Sequence, residues 1–174
     1  IINWHLGQLG RAAIALRAAT AADARYADAH AALGSVLKEK RDWAGASASL
    51  RRAIAIRPDV PAPHYTLGQV LQLSGNERAA RAEFDEAERL RQRAALEHEA
   101  LIWTSVGIRT LEAGDLAGAL SHFRRATTAF EAYAPAHYQM GLVLERLGQI
   151  EAARVAFGRA HALNPSLIPP KDPR

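Results

Sequence analysis

The chain has 174 residues, 49% hydrophobic but only 6% aromatic, with a formal net charge of +4 carried by 19 Arg and 3 Lys against 18 acids. It has no cysteine, which excludes disulfides, thiol catalysis and thiolate-held metal while leaving the compartment open. No apolar run approaches the ~18 residues of a membrane span, so no membrane insertion is expected; with neither a signal peptide nor an initiator Met, the chain reads as a piece of a longer one.

Residues 1–26 read as a truncated repeat, mainly its second helix. Leu6-Gly7-Gln8 matches the turn at Leu147-Gly148-Gln149, and Ala12, Leu16 and Ala19 follow at helical spacing. Four fuller blocks come next, at 27–60, 61–94, 100–133 and 134–167. Each is predicted to hold one helix, a tight turn and a second, antiparallel helix. The turns are Arg41-Asp42, Gly75-Asn76, Gly114-Asp115 and Gly148-Gln149. Asp42, Asn76 and Asp115 are expected helix N-caps, because a short side-chain oxygen can accept from an orphan backbone N–H.

Five extra residues, 95–99, separate the two middle blocks, and no Gly or Pro falls between Asn76 and Gly107. The expected outcome is a lengthened helical hairpin, one helix running past Leu90 and the next starting early. The alternative is a hinge or docking protrusion between two halves. The Pro-rich tail, 168–174, follows Pro165 and cannot be helical. Neither end carries a polar capping helix, so both are expected to expose apolar surface, with Ile1, Ile2 and Trp4 at the first end.

The blocks share a register. Gly34, Gly68, Gly107 and Gly141 are spaced 34, 39 and 34 residues apart, and twelve residues after each comes Ala46, Ala80, Ala119 or Ala153. Leu50, Phe84, Phe123 and Phe157 follow four later, then Ala53, Ala87, Ala126 and Ala160. The glycines are expected to let each first helix approach an alanine on its partner, while the bulky residues fill the space between hairpins. With Trp103-Thr-Ser-Val106-Gly107 and the closing Pro58 and Pro165, this pattern resembles the tetratricopeptide repeat.

That resemblance implies an all-α, right-handed α-solenoid of antiparallel helix hairpins. It also implies a non-catalytic scaffold that binds a peptide or protein segment in a concave groove lined by the first helices. Carried over by position, the candidate groove residues are Ser35 and Lys38, then Tyr65, Gln69 and Gln72. The later blocks supply Thr104 and Ile108, then Tyr138, Gln139, Leu142 and Arg146. Tyr65 and Tyr138 are equivalent, and tyrosine is a favoured interface anchor, although either could be a partly buried spacer. The family's carboxylate clamp needs Lys and Asn where this chain has Ala31, Tyr65, Thr104 and Tyr138, then Ser35, Gln69, Ile108 and Leu142, so capture of a chaperone C-terminus is not expected.

Catalytic motifs fail on inspection. His98-Glu99 lacks the second histidine of a zincin, since Ile102 stands there, and Ser35-Val-Leu-Lys38 lacks its supporting motifs. His30, His64 and His137 share one position, which Trp103 occupies in the remaining block. Helices packed roughly 10 Å apart cannot bring such residues to one metal, so the position reads as aromatic-like packing. No cofactor and no metal are expected. Arginines gather on the second helices, including Arg51, Arg52, Arg124, Arg125 and Arg159, but acids interrupt them, so nucleic acid is not the expected partner. The alternatives to a groove-binding scaffold are end-to-end self-association through the uncapped repeats and a regulatory or targeting domain of a larger enzyme.

Overall fold

The computed structural model describes residues 2–170, with side chains from residue 7 onward. Expectations about Ile1, Ile2 and Trp4, and about the tail beyond residue 170, lie outside the described side chains. Among the described residues the chain is all-α: α1 (Ile2–Ala22), α2 (Ala27–Glu39), α3 (Trp43–Ile56), α4 (Pro61–Leu73), α5 (Glu77–Glu112), α6 (Leu116–Ala129), α7 (Ala134–Arg146) and α8 (Ile150–Leu163). They form an α-solenoid of antiparallel hairpins that falls into two compact units, residues 1–92 and 93–174. In the first, α2 packs on α1 and α3, and α3 on α4; in the second, α7 packs on α6 and α8.

The turns follow local chemistry. Gly75, Gly114 and Gly148 take positive φ (85°, 86° and 74°), and Arg41 does the same at 60°. In each turn two N–H groups reach back to the last carbonyls of the preceding helix, as when Arg41 N bonds Lys38 O and Asp42 N bonds Leu37 O, both at 2.9 Å. The helix beyond is capped: Asp42 Oδ1 accepts from Gly45 N at 2.9 Å, Asp115 Oδ1 from Gly118 N at 2.8 Å and Asn76 Oδ1 from Ala79 N at 3.3 Å.

Two expected breaks do not form. The turn at Gly7-Gln8 is absent, and α1 runs through it from Ile2 to Ala22. Gly7 is exposed, with no atom near the position of a Cβ, so nothing packs there to favour a reversal over continued helical hydrogen bonding. Nor is there a hairpin at 95–99: α5 is one helix of 36 residues. Residues 91–99 are all exposed and are mainly Arg, Gln, Ala, Leu and Glu. These are strong helix formers that lose little by staying helical in water, and no Gly or Pro interrupts them.

The joint between paired helices also differs from the expectation. A Cβ built on Gly68, Gly107 or Gly141 would lie 2.7, 2.6 and 2.6 Å from a ring carbon of Phe84, Phe123 and Phe157 respectively. On Gly34 it would lie 2.5 Å from Leu50 Cγ, with the Ala46 carbonyl oxygen at 3.2 Å. The glycine therefore makes room for the bulky residue sixteen positions later, so that residue packs inside its own hairpin, and Leu50 and Phe123 also meet the next. Ala46, Ala80, Ala119 and Ala153 are buried in the surrounding core. Leu50 belongs to a cluster with Leu67 and Val70 in the first unit, and Phe123 to one with Val143 and Phe157 in the second.

Candidate functional site

In the first unit, α2 and α4 bring the candidate residues together. Lys38 Nζ donates to Gln69 Oε1 at 3.0 Å, tying the first helices of two successive repeats. Ser35 and Gln72 are exposed beside them, the Ser35 hydroxyl donating to the Ala31 carbonyl of its own helix. Tyr65 is 41% exposed, with its ring 5.4 Å from Phe84 and the Arg91 guanidinium 5.0 Å from its centroid. Lys38, Gln69 and Gln72, with Arg41, Trp43 and Leu73, line an open polar depression. Leu73, 60% exposed, adds an apolar rim.

The second unit treats its candidates differently. Thr104 is 4% exposed and its hydroxyl donates to Ala100 O at 2.7 Å, so it is removed from the candidate contacts: it points into the packing and its donor is spent on its own helix. Ile108, Tyr138 and Leu142 are half-buried against the core, and the Tyr138 ring meets Phe157 edge-on at 5.5 Å. Gln139 is half-buried and Arg146 exposed in the last turn of α7. Tyr65 and Tyr138 thus share one job, resting on the ring that fills the glycine joint, and of the two only Tyr65 is exposed.

The shared histidine position proves to be a latch. His30, His64 and His137 each use Nε2 to donate to a carbonyl six residues earlier, on Ala24 (3.2 Å), Pro58 (3.2 Å) and Glu131 (2.8 Å). Each carbonyl belongs to the turn entering the repeat, so the ring fastens that turn to the helix it introduces. His64 Nδ1 also lies 2.7 Å from Glu83 Oε2. Packing alone does not describe this position; a hydrogen bond fixes it. The residue 22 positions later flanks the latch: Arg52 donates to the Ala24 carbonyl (3.4 Å), and Arg159 to the Glu131 carboxylate (2.8 Å).

Trp103 stands where the latch would be, and the residue six before it, Glu97, lies inside α5 and not in a turn. Trp103 Nε1 donates instead to Glu99 Oε1 at 3.3 Å. Arg125, equivalent to Arg52 and Arg159, lays its guanidinium 3.5 Å from the centroid of Trp103. The His122 ring stacks on Trp103 at 5.7 Å, only 7° from parallel, and its Nδ1 is buried with no hydrogen-bond partner among the described residues. The spacing of six and of 22 was present in the sequence, but only as positions; what occupied the carbonyl end depended on the turn.

Elsewhere several surface charges pair along their own helix. Arg89 donates to Glu86 through two nitrogens at 2.7 and 2.5 Å, which holds the Glu86 carboxyl below its usual range and the guanidinium above its own. Tyr133 has its phenol raised by burial and by the nearby charge of Glu97.

Residues 134–167 match the family described as tetratricopeptide repeat. No curated protein sequence matches the chain. Among solved structures it is similar to MamA, with 18% identity and a TM-score of 0.48 over 93% of this chain and 92% of that one. It is also similar to YrrB, described as a TPR protein with an unusual peptide-binding site, with 22% identity and a TM-score of 0.46 over 94% and 82%. A third is a chain of the APC/C hetero-tetramer Cut9-Hcn1, with 16% identity and a TM-score of 0.48, of which only 31% is covered.

Proposed function

We propose that this chain, whose last hairpin is a tetratricopeptide repeat and whose other hairpins reuse its joint of a glycine against a bulky apolar residue, is a non-catalytic scaffold for a peptide or protein segment. The segment lies on the first-helix faces, foremost that of α2 and α4. The observation that carries this reading is the Lys38–Gln69 bond. It sets amide, ammonium and hydroxyl groups of two repeats side by side, next to the exposed edge of Tyr65 and the open depression around Gln72. An extended segment would find donors and acceptors for its backbone there and an aromatic anchor at one end. In the second unit Tyr138, Gln139, Leu142 and Arg146 offer a first-helix face of their own, through less exposed surface.

The test is a pull-down comparing the wild-type chain with a Tyr65→Ala/Tyr138→Ala variant and with Gln69→Ala/Gln72→Ala, all three checked for an unchanged helical circular dichroism spectrum. A partner held by the wild type and lost from both variants is the expected result. Partners retained equally by all three remove the first-helix faces from consideration.

A further inference from the structure

The arginine next to the latch position has a hydrogen-bond acceptor in the two turn-entered repeats that carry it. Arg52 takes the Ala24 carbonyl and Arg159 the Glu131 carboxylate. Arg125 has none among the described residues, because the turn that would supply one is replaced by the uninterrupted helix α5. Its guanidinium lies against Trp103 instead. Stacking occupies the face of a guanidinium and leaves its in-plane N–H groups available, the geometry that grips an oxyanion with two parallel bonds. Holding the group on an indole also reduces the freedom lost when a ligand arrives.

The surroundings complete a cleft. Arg124 lines it beside Arg125 and likewise forms no ion pair among the described residues, while the Ser121 hydroxyl also lies along its wall. The ring of Trp103 with Ala117 and Ala129 supplies apolar wall. Glu99 is the one acid in the lining, and its Oε1 is engaged by the indole N–H. Two cations, one restrained anion, the hydroxyls of Ser121 and Thr128 and an apolar floor fit a singly charged group on a methylene stem. The apolar wall of Trp103, Ala117 and Ala129 gives such a stem something to cover, which free inorganic phosphate lacks.

We propose that this cleft, between α6 and the later part of α5, binds a Glu or Asp side chain of an acidic segment in a partner protein. The site shares no residue with the α2–α4 face and does not depend on it.

The experiment uses fluorescein-labelled hexaglutamate, followed by fluorescence anisotropy at physiological salt, with hexaglutamine as the uncharged control. Binding of hexaglutamate alone is expected, weakened about tenfold or more by Arg124→Gln/Arg125→Gln. Arg125→Lys should weaken it nearly as much, since an ammonium on a flexible stem neither stacks flat nor donates in parallel. Arg78→Gln/Arg81→Gln, an exposed pair on the earlier part of α5, and Tyr65→Ala/Tyr138→Ala should leave it unchanged. Equal loss in the Arg78/Arg81 variant would reduce the effect to bulk charge and overturn the site. So would hexaglutamate binding no better than hexaglutamine, or displacement of the peptide by inorganic phosphate at equal concentration.

Discussion

Two junctions of the second unit make an instructive pair. At Glu131–His137 the chain turns, a histidine fastens the turn through its carbonyl, and Arg159 closes on the Glu131 carboxylate. At Glu97–Trp103 the chain does not turn, a tryptophan replaces the histidine, and Arg125 is left stacked on its ring. The residues sixteen after each glycine are nevertheless alike: Phe123 is fully buried on Gly107 and Phe157 is 6% exposed on Gly141. The joint inside a hairpin is therefore indifferent to how the hairpin is entered. What the entry decides is whether polar groups at its edge are consumed or left over.

The largest expected effect tests that indifference. Phe123→Ala and Phe157→Ala should each cost about 3–5 kcal/mol in chemical denaturation, because each leaves a ring-sized cavity. Phe84→Ala should cost less, since its ring is only half-buried. A gap of several kcal/mol between the first two would show that the missing turn does reach the core.

A proline placed in the same column comes next. Pro58 already stands at this position in a turn, whereas Glu97 is inside α5. Glu97→Pro should remove about 3 kcal/mol or more and lower helicity by circular dichroism, since it deletes a backbone bond and clashes with the preceding turn. Full retention of stability would mean the segment behaves as a turn after all.

Exchanging the latch residues gives a smaller response. His137→Phe keeps the ring volume but leaves the Glu131 carbonyl without its protein donor, an expected loss of about 1 kcal/mol. Trp103→His should not create a latch, because no turn carbonyl lies six residues before it, and it forfeits the Arg125 stack, worth about 0.5–1 kcal/mol at an exposed site. A stabilised Trp103→His variant would break the comparison.

The smallest effect is a pH dependence. The Tyr133 phenol is raised by burial and by Glu97, so the folded chain holds that proton more tightly than the unfolded one, where tyrosine titrates near ~10. This contribution is fully present below that pH and is lost as pH rises through the folded value. Melts of Tyr133→Phe should show a shallower fall in Tm at alkaline pH than the wild type, and Glu97→Gln should reproduce part of that flattening. Unchanged alkaline slopes in both would separate Tyr133 from the junction.

Much of this was legible from residue types. The four glycines, the capping Asp42 and Asp115 and the turn glycines could be placed because each answers a short-range demand: room for a bulky apolar side chain, an orphan N–H, a positive φ. The candidate faces were legible only as positions. Ser35, Lys38, Gln69 and Gln72 do come together on α2 and α4, but Thr104, in the column of Tyr65 and Tyr138, is buried with its hydroxyl bonded to its own helix. The arginine-lined cleft was not legible, since Arg124 and Arg125 look in sequence like the other surface pairs.

By itself the amino-acid order determined that helices pair at glycine joints, since those requirements are satisfied within a few dozen residues. Whether the chain turns at Gly7 or at 95–99 was decided only in three dimensions. A reversal needs something to pack against, and without it the chain continues as helix, most readily at 91–99, where the residues are good helix formers. The fate of Arg125 follows from that decision, because the carbonyl or carboxylate that satisfies its counterparts comes from a turn that this part of the fold does not make.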